Sequence, residues 1–264
     1  MEVAKEKYAG TQAVARTFQL INLFDDRHPS WSLADLIVAS GLKRTTVFRL
    51  MAALEAEGIV RKLPTGNYML GSGLIALGGR AIRANRLRTV AQPHLYELAH
   101  LTTESVTIDV LWVEDGMPQS MVIEEHLGHH LLGMSQYIGA RFPAHATSTG
   151  KVLLAFSSAE KRQYLNLTKL DPLTQQTITD PNRFQLELHH IRQQGYAMTV
   201  SELEEGVMAV AAPMFNLHGE VVAALSIGGP RSRISAETLH QFAVPLIEAA
   251  QKISKQIGYE PKKR

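Results

Sequence analysis

Between positions 30 and 58, apolar residues recur at helical spacing in two short runs with a glycine between them. Leu33, Leu36 and Ile37 fall on one face of the first run at i, i+3 and i+4, and Ser32 stands before it as an N-cap. Val47, Leu50, Met51 and Leu54 line one side of the second run. Gly41 occupies the joint, where a tight inter-helix turn needs a residue that tolerates positive φ. The opening turns of the second run carry Lys43, Arg44, Thr45, Thr46 and Arg49, all hydrogen-bond donors, with Phe48 among them. A helix with one buried face and such donors on its first turns has the chemistry of a major-groove reader.

The same pattern extends in both directions. A helix is expected over 11–25, with Val14, Phe18 and Ile21 on one side, and short β-like runs at 59–63 and 67–70 bracket Pro64-Thr65-Gly66, a turn signal. Helix, helix, helix, hairpin predicts a winged helix-turn-helix over residues 1–71. Residues 72–90 predict a linker helix, weakened at Gly78-Gly79 by about 1 kcal/mol per glycine relative to alanine and so able to bend there.

From Pro93 the texture changes. A helix at 94–101 leads to an alternating strand with Val106, Ile108, Val110 and Trp112 on one face and Thr107, Asp109 and Leu111 on the other. Asp115-Gly116 turns into a strand at 120–125, and another strand is expected at 131–136. Helices follow at 149–156, 159–165 and 181–194, the last stopped by Gly195, then strands at 196–201, 207–215 and 220–227. A closing helix capped by Ser235 runs to about Ile257. Grouped strands with helices at their flanks predict an antiparallel sheet covered by helices, so the region 91–264 reads as an α+β sensor-like domain.

Length and composition support two domains with real cores: 264 residues, 45% apolar and 20% charged. The net charge of +2 hides an asymmetry, because residues 1–90 carry +6 and the remainder −4. A basic third on an acidic remainder is the footprint of a nucleic-acid arm on a body with another task. No run approaches the ~20 apolar residues of a membrane span, and Met1-Glu-Val-Ala-Lys-Glu-Lys lacks a signal-peptide apolar region. With no cysteine there is no disulfide framework or thiolate chemistry, and a cytoplasmic protein without a cofactor is the simplest reading.

Three other constellations are weaker. Ser148-Thr-Gly-Lys151 resembles a phosphate loop, but that pattern needs Gly where His145 stands and Ser or Thr where Val152 stands, so Lys151 reads as a structural cap or a surface charge. His126, His129, His130, His189 and His190, with Glu124-Glu125, match no standard metal spacing, so no metal is expected. Asp109, His145 and Ser148 lack the strained elbow of a hydrolase nucleophile, so no catalysis is expected. On the helix pair, Arg44 and Arg49 suit guanine edges and the threonines suit phosphate or thymine methyls, while Arg61 and Lys62 on the wing suit phosphate.

An ordered series of segments then resembles the IclR family of bacterial transcriptional regulators over nearly the full length. These are Ser32-Leu-Ala-Asp-Leu, Gly41-Leu-Lys-Arg-Thr-Thr-Val-Phe-Arg-Leu, Asn67-Tyr-Met-Leu-Gly and His145-Ala-Thr-Ser-Thr-Gly-Lys-Val-Leu-Leu-Ala. Gly195-Tyr-Ala, Glu204-Glu-Gly-Val-Met-Ala-Val-Ala-Ala-Pro-Met-Phe and Ser226-Ile-Gly-Gly-Pro-Arg-Ser-Arg complete it. The resemblance implies a winged helix-turn-helix plus a GAF-like effector-binding and oligomerisation domain, assembled as a homodimer or dimer of dimers. It implies double-stranded operator DNA and a small organic acid effector as partners. Carried over by motif, the effector cavity is lined by Leu131, Met134 and Phe142, with Ser148 and Thr149 at a helix start suited to a carboxylate, and closed by Thr199, Val207 and Ala209. Thr199 stands where many members carry an acidic residue, which leaves the polar end of the ligand open. The rival reading is a non-DNA sensor or metabolite-binding module whose helix pair serves protein contacts.

Overall fold

The computed structural model describes residues 11–128, 137–163 and 165–260, and the chain divides into two compact units, Met1–Asn85 and Arg86–Arg264. The first unit runs α1 (Gln12–Ile21), β1 (Ser30–Trp31), α2 (Leu33–Ser40), α3 (Arg44–Ala56), β2 (Val60–Lys62), β3 (Tyr68–Leu70) and α4 (Ser72–Ala84). The Ser32 hydroxyl accepts the Asp35 amide at 3.1 Å and donates to its carboxylate at 2.7 Å, which satisfies one orphan donor of α2 and orients the first-turn acid. Gly41 ends α2 at φ 65, so the chain reverses into α3 at little steric cost. Leu20, Leu36, Val47, Met51, Val60 and Tyr68 form the core of this unit.

The stripe expected on α1 is not the buried one. Val14 and Phe18 are 54% and 59% exposed, and only the end of the helix reaches the core through Leu20 and Ile21, with Phe24 just beyond. The periodicity marked a second apolar stripe that this unit leaves bare. The wing is a three-stranded antiparallel sheet in the order β1-β3-β2, closed by Leu63 N–H to Asn67 O at 2.7 Å. Strand β1, two residues long, is too short for any period to reveal. Helix α4 runs unbroken through Gly78-Gly79, and the interruption falls instead at Asn85, which is extended at φ −82, ψ 98. No residue of α4 is buried; Ile75 and Leu77 are exposed.

The second unit begins with α5 (Arg86–Thr102), followed by β4 (Ser105–Glu114), β5 (Met117–His126) and β6 (Arg141–Pro143). A 3-10 turn at Ala144–Ala146 leads into α6 (Ser148–Phe156) and α7 (Ala159–Arg162), then α8 (Pro181–Gln194). Strands β7 (Ala197–Val200), β8 (Val207–Phe215) and β9 (Val221–Pro230) precede α9 (Ala236–Gln256). Helix α5 continues through Pro93, where the sequence suggested an opening. Its buried positions Arg88, Ala91, Leu95, Leu98 and Ala99 keep helical spacing on both sides of the proline, and this packing outweighs the amide bond that proline removes. Arg88 is itself buried and pairs with Glu124 at 2.7 Å.

Among the described residues, β4 to β9 form one antiparallel sheet in the order β6-β5-β4-β9-β8-β7. Residues of α5 and α9 pack on one face against Val106, Ile108, Val210 and Leu225. On the other face α6 and α8 pack Val152, Leu153, Phe184 and Leu188 against Leu111, Ala211 and Ala224. The alternation along β4 therefore sends Thr107, Asp109 and Leu111 to the α6 side, and a register shift against β5 falls between Ile108 and Asp109. Asp180 caps α8 by accepting the Arg183 amide at 2.7 Å, and Gly195 ends it. The strand expected at 131–136 lies outside the described residues.

Candidate functional site

Helix α3 buries Val47, Met51 and Leu54 and turns Lys43, Arg44, Thr45 and Arg49 outward, with Thr46 half-buried at the boundary. No acidic residue lies in its first turn. Arg61 and Lys62 are exposed on β2, where the Lys62 ammonium stands 5.6 Å from the centroid of the Tyr68 ring. Among the described residues none of these five cations forms an ion pair, so their charge is available to a polyanion. A groove between α1 and α3 brings Arg16 beside Thr45, Thr46 and Arg49. Sequence reasoning passed over Arg16, a single cation on a helix read only for its apolar stripe.

In the second unit six residues of the expected effector site meet at one cavity: Phe142, Ser148, Thr149, Thr199, Val207 and Ala209. Leu131 and Met134, expected beside them, lie outside the described residues. The cavity encloses about 390 Å³ of empty space, its open mouth included. It also reaches Asp109, Thr147 and Ser226, which sequence reasoning had not placed there. The first turn of α6 forms one wall. Thr147 caps it through Gly150 N–H at 3.0 Å, and Lys151 N–H to Thr147 O is the first intrahelical bond, so the amides of Ser148 and Thr149 precede the helix ladder. Gly150 is required because a Cβ there would run into the backbone of Ala144, on which α6 rests.

The hydroxyls around this cavity are unequally used. Ser226 meets Thr107 at 2.9 Å, Thr107 donates to Asp109 Oδ1 at 2.9 Å, and Thr149 donates to Asp109 Oδ2 at 2.8 Å. Ser120 and Thr147 pair at 3.0 Å. Ser148 and Thr199 are both buried, yet among the described residues neither hydroxyl has a hydrogen-bond partner. Both residues line the cavity, so their hydroxyls are open to whatever fills it, water or a ligand.

Burial pushes the Asp109 carboxyl up from the usual 3.8 to about 6, against the pull of the Thr149 and Thr107 hydrogen bonds. A displacement of that size corresponds to about 3 kcal/mol. Because the folded state holds the proton more tightly, the penalty is absent below pH ~4, grows between ~4 and ~6, and is complete above that. Asp109→Asn should therefore melt higher than the parent at pH 8, with the gap closing by pH 4. Melting curves that differ equally at both values would remove this account.

His145 and Lys151 have internal duties. The His145 ring meets the Asp171 carbonyl at 3.0 Å and the edge of Phe184, and burial lowers its pKa, keeping it neutral. Lys151, which the sequence suggested as a cap or surface charge, is fully buried and contacts Glu202 at 2.7 Å and Glu187 at 3.4 Å. Glu202 follows β7, so this pair fastens α6 to the wall that carries Thr199.

Comparison with known proteins gives a consistent set of likenesses. Residues 13–64 match the model for the IclR helix-turn-helix domain, and residues 79–255 match that for the bacterial transcriptional regulator IclR C-terminal region. The DNA-binding transcriptional repressor YiaJ of Escherichia coli is 33% identical over 98% of this chain and 92% of its own length. A solved IclR-type regulator from Alicyclobacillus acidocaldarius superposes with a TM-score of 0.83 at 26% identity, covering 94% of this chain and 99% of that one. An IclR homologue from Microbacterium hydrocarbonoxydans, solved in complex with 4-hydroxybenzoate, gives a TM-score of 0.76 at 26% identity, covering 93% and 98%.

Proposed function

The chain belongs to the IclR family of DNA-binding transcriptional regulators, and from that premise we propose how its own residues divide the work. Lys43, Arg44, Thr45, Thr46 and Arg49 enter the major groove of operator DNA, Arg61 and Lys62 hold the flanking backbone, and Arg16 adds a phosphate contact. A small organic acid seats its carboxylate on the amides of Ser148 and Thr149, between α6 and the wall formed by Thr199, Val207 and Ala209. The observation that carries the reading is that Ser148 and Thr199, whose hydroxyls have no protein partner among the described residues, line one cavity at a helix N-terminus. The complex of a 26%-identical relative with 4-hydroxybenzoate, itself an acid, supports the ligand class.

Two copies, or four as a dimer of dimers, present paired heads to a roughly palindromic operator. The acid governs the complex by binding one arrangement of those copies more tightly than the other, since equal affinity would shift nothing. No helix among the described residues is long and apolar enough to cross a membrane, which fits a cytoplasmic regulator meeting DNA and metabolites in one compartment.

The test is a fluorescence-anisotropy titration of labelled promoter fragments, repeated with a panel of small acids. At least one acid should shift the operator midpoint, and Arg49→Ala should cost about 1–3 kcal/mol of specific affinity while relaxing preference at the base it reads. Unchanged preference at every operator position removes Arg49 from base reading. Absence of DNA binding at low salt, with or without acids, would sink the whole assignment.

A further inference from the structure

A carboxylate ligand meets an obstacle in this cavity. Asp109 is buried, lines the same space, and is one hydrogen bond from Thr149 at the very helix start proposed to receive the ligand's acid group. None of the ion pairs among the described residues includes Asp109, so among those residues no cation is paired with its charge. Two carboxylates sharing a small, partly enclosed site repel unless a proton stands between them. Thr107 and Thr149 each donate to Asp109 and Ser120 acts on it as a third hydrogen-bonding hydroxyl, while the two carboxylate oxygens together offer about four lone-pair sites. Nearby, Thr199 contributes a hydroxyl without a partner among the described residues, able to donate or accept.

We propose that Asp109 and Thr199 select a hydroxy acid, receiving an effector hydroxyl that lies next to its carboxylate. This rests on the effector reading above and narrows it. The ligand's O–H donates to Asp109 and its oxygen accepts from Thr199, so a proton is interposed between the two carboxylates and both protein groups are satisfied. A hydroxyl can both donate to Asp109 and accept from Thr199, whereas an ammonium only donates and leaves the Thr199 hydrogen without an acceptor on the ligand nitrogen. An acid lacking the hydroxyl leaves Asp109 facing a second anion and Thr199 unpaired, which is the condition under which a polar site rejects a smaller analogue.

The experiment is isothermal titration calorimetry on the full chain with matched acids: lactate, propionate and alanine, malate and succinate, tartrate and succinate, gluconate and hexanoate. In at least one set the hydroxylated member should bind at least about tenfold tighter than its partner. Asp109→Ala should bring that ratio close to one, chiefly by tightening the plain acid and weakening the hydroxy acid. Thr199→Val, nearly isosteric and taking no part in the Thr107–Asp109–Thr149 hydrogen bonds, should lower the ratio without altering secondary structure, so the outcome does not depend on one variant folding. Acids that bind with no hydroxyl preference, a ratio that survives both substitutions, or a preference for alanine over lactate would each overturn the selection by Asp109 while leaving the acid site standing. Failure of every acid to bind removes the effector reading and this inference together.

Discussion

Operator affinity should fall by about 10³–10⁵-fold when salt is raised from 50 to 200 mM, the range expected when six to ten phosphates are neutralised. The expectation comes from an accounting of cations. Lys43, Arg44, Arg49, Arg61 and Lys62 are exposed and free of ion pairs among the described residues, and a proposed dimer brings two such sets to one operator. Each cation that meets a phosphate releases condensed counterions, and added salt opposes that release by mass action. Lys62→Ala should lower the slope of log affinity against log salt by about one per head and weaken all sequences alike. Arg49→Ala should instead act unevenly across operator positions. A slope near zero for the parent would mean that the exposed cations do not meet the backbone, whatever fold carries them.

Lys151→Ala should cost about 3–5 kcal/mol of stability, because it leaves the buried Glu202 without its counter-charge. Desolvation already pushes the Glu202 carboxyl up, with the Lys151 ammonium opposing the rise, and its second oxygen has no partner among the described residues. Glu187 stands farther off and is partly solvated, so it would lose less. Replacing both partners, as in Lys151→Met with Glu202→Met, should recover most of the loss, since the pair itself balances attraction against desolvation. Denaturant titration of the two single variants and the double variant measures this coupling. If Lys151→Ala unfolds at the parent's midpoint, the buried pair contributes nothing. Acid binding should weaken in Lys151→Ala even where the chain stays folded, because the pair ties the Ser148 wall of the cavity to the Thr199 wall.

What the chain reveals without coordinates follows from where local chemistry decides the outcome. The α2–α3 turn was readable because Ser32 and Gly41 act on their own neighbours, and α8 was readable because Asp180, Pro181 and Gly195 punctuate it. Strand β8 showed its bounds because its flanks turn sharply. Helix α5 was misjudged at its start, since proline usually marks a boundary and only packing against the sheet explains its persistence. Lys151 was misjudged for the opposite reason: a lysine reads as surface until a distant glutamate is brought against it. The alternation of β4 assigned Asp109 to the face opposite Ile108, but nothing in a period of two reveals which helix covers that face. Six cavity residues came from resemblance to a family, not from spacing. The hydroxyl network that joins Asp109 to Thr107, Thr149 and Ser226 spans 119 positions and belongs to tertiary structure alone.

One extended residue, Asn85, separates α4 from α5, and each compact unit keeps its own apolar interior. Genetic recombination at that codon therefore spares both interiors. A chimaera joined there keeps each interior whole, so one relative's head and another's C-terminal unit can be exchanged as intact pieces.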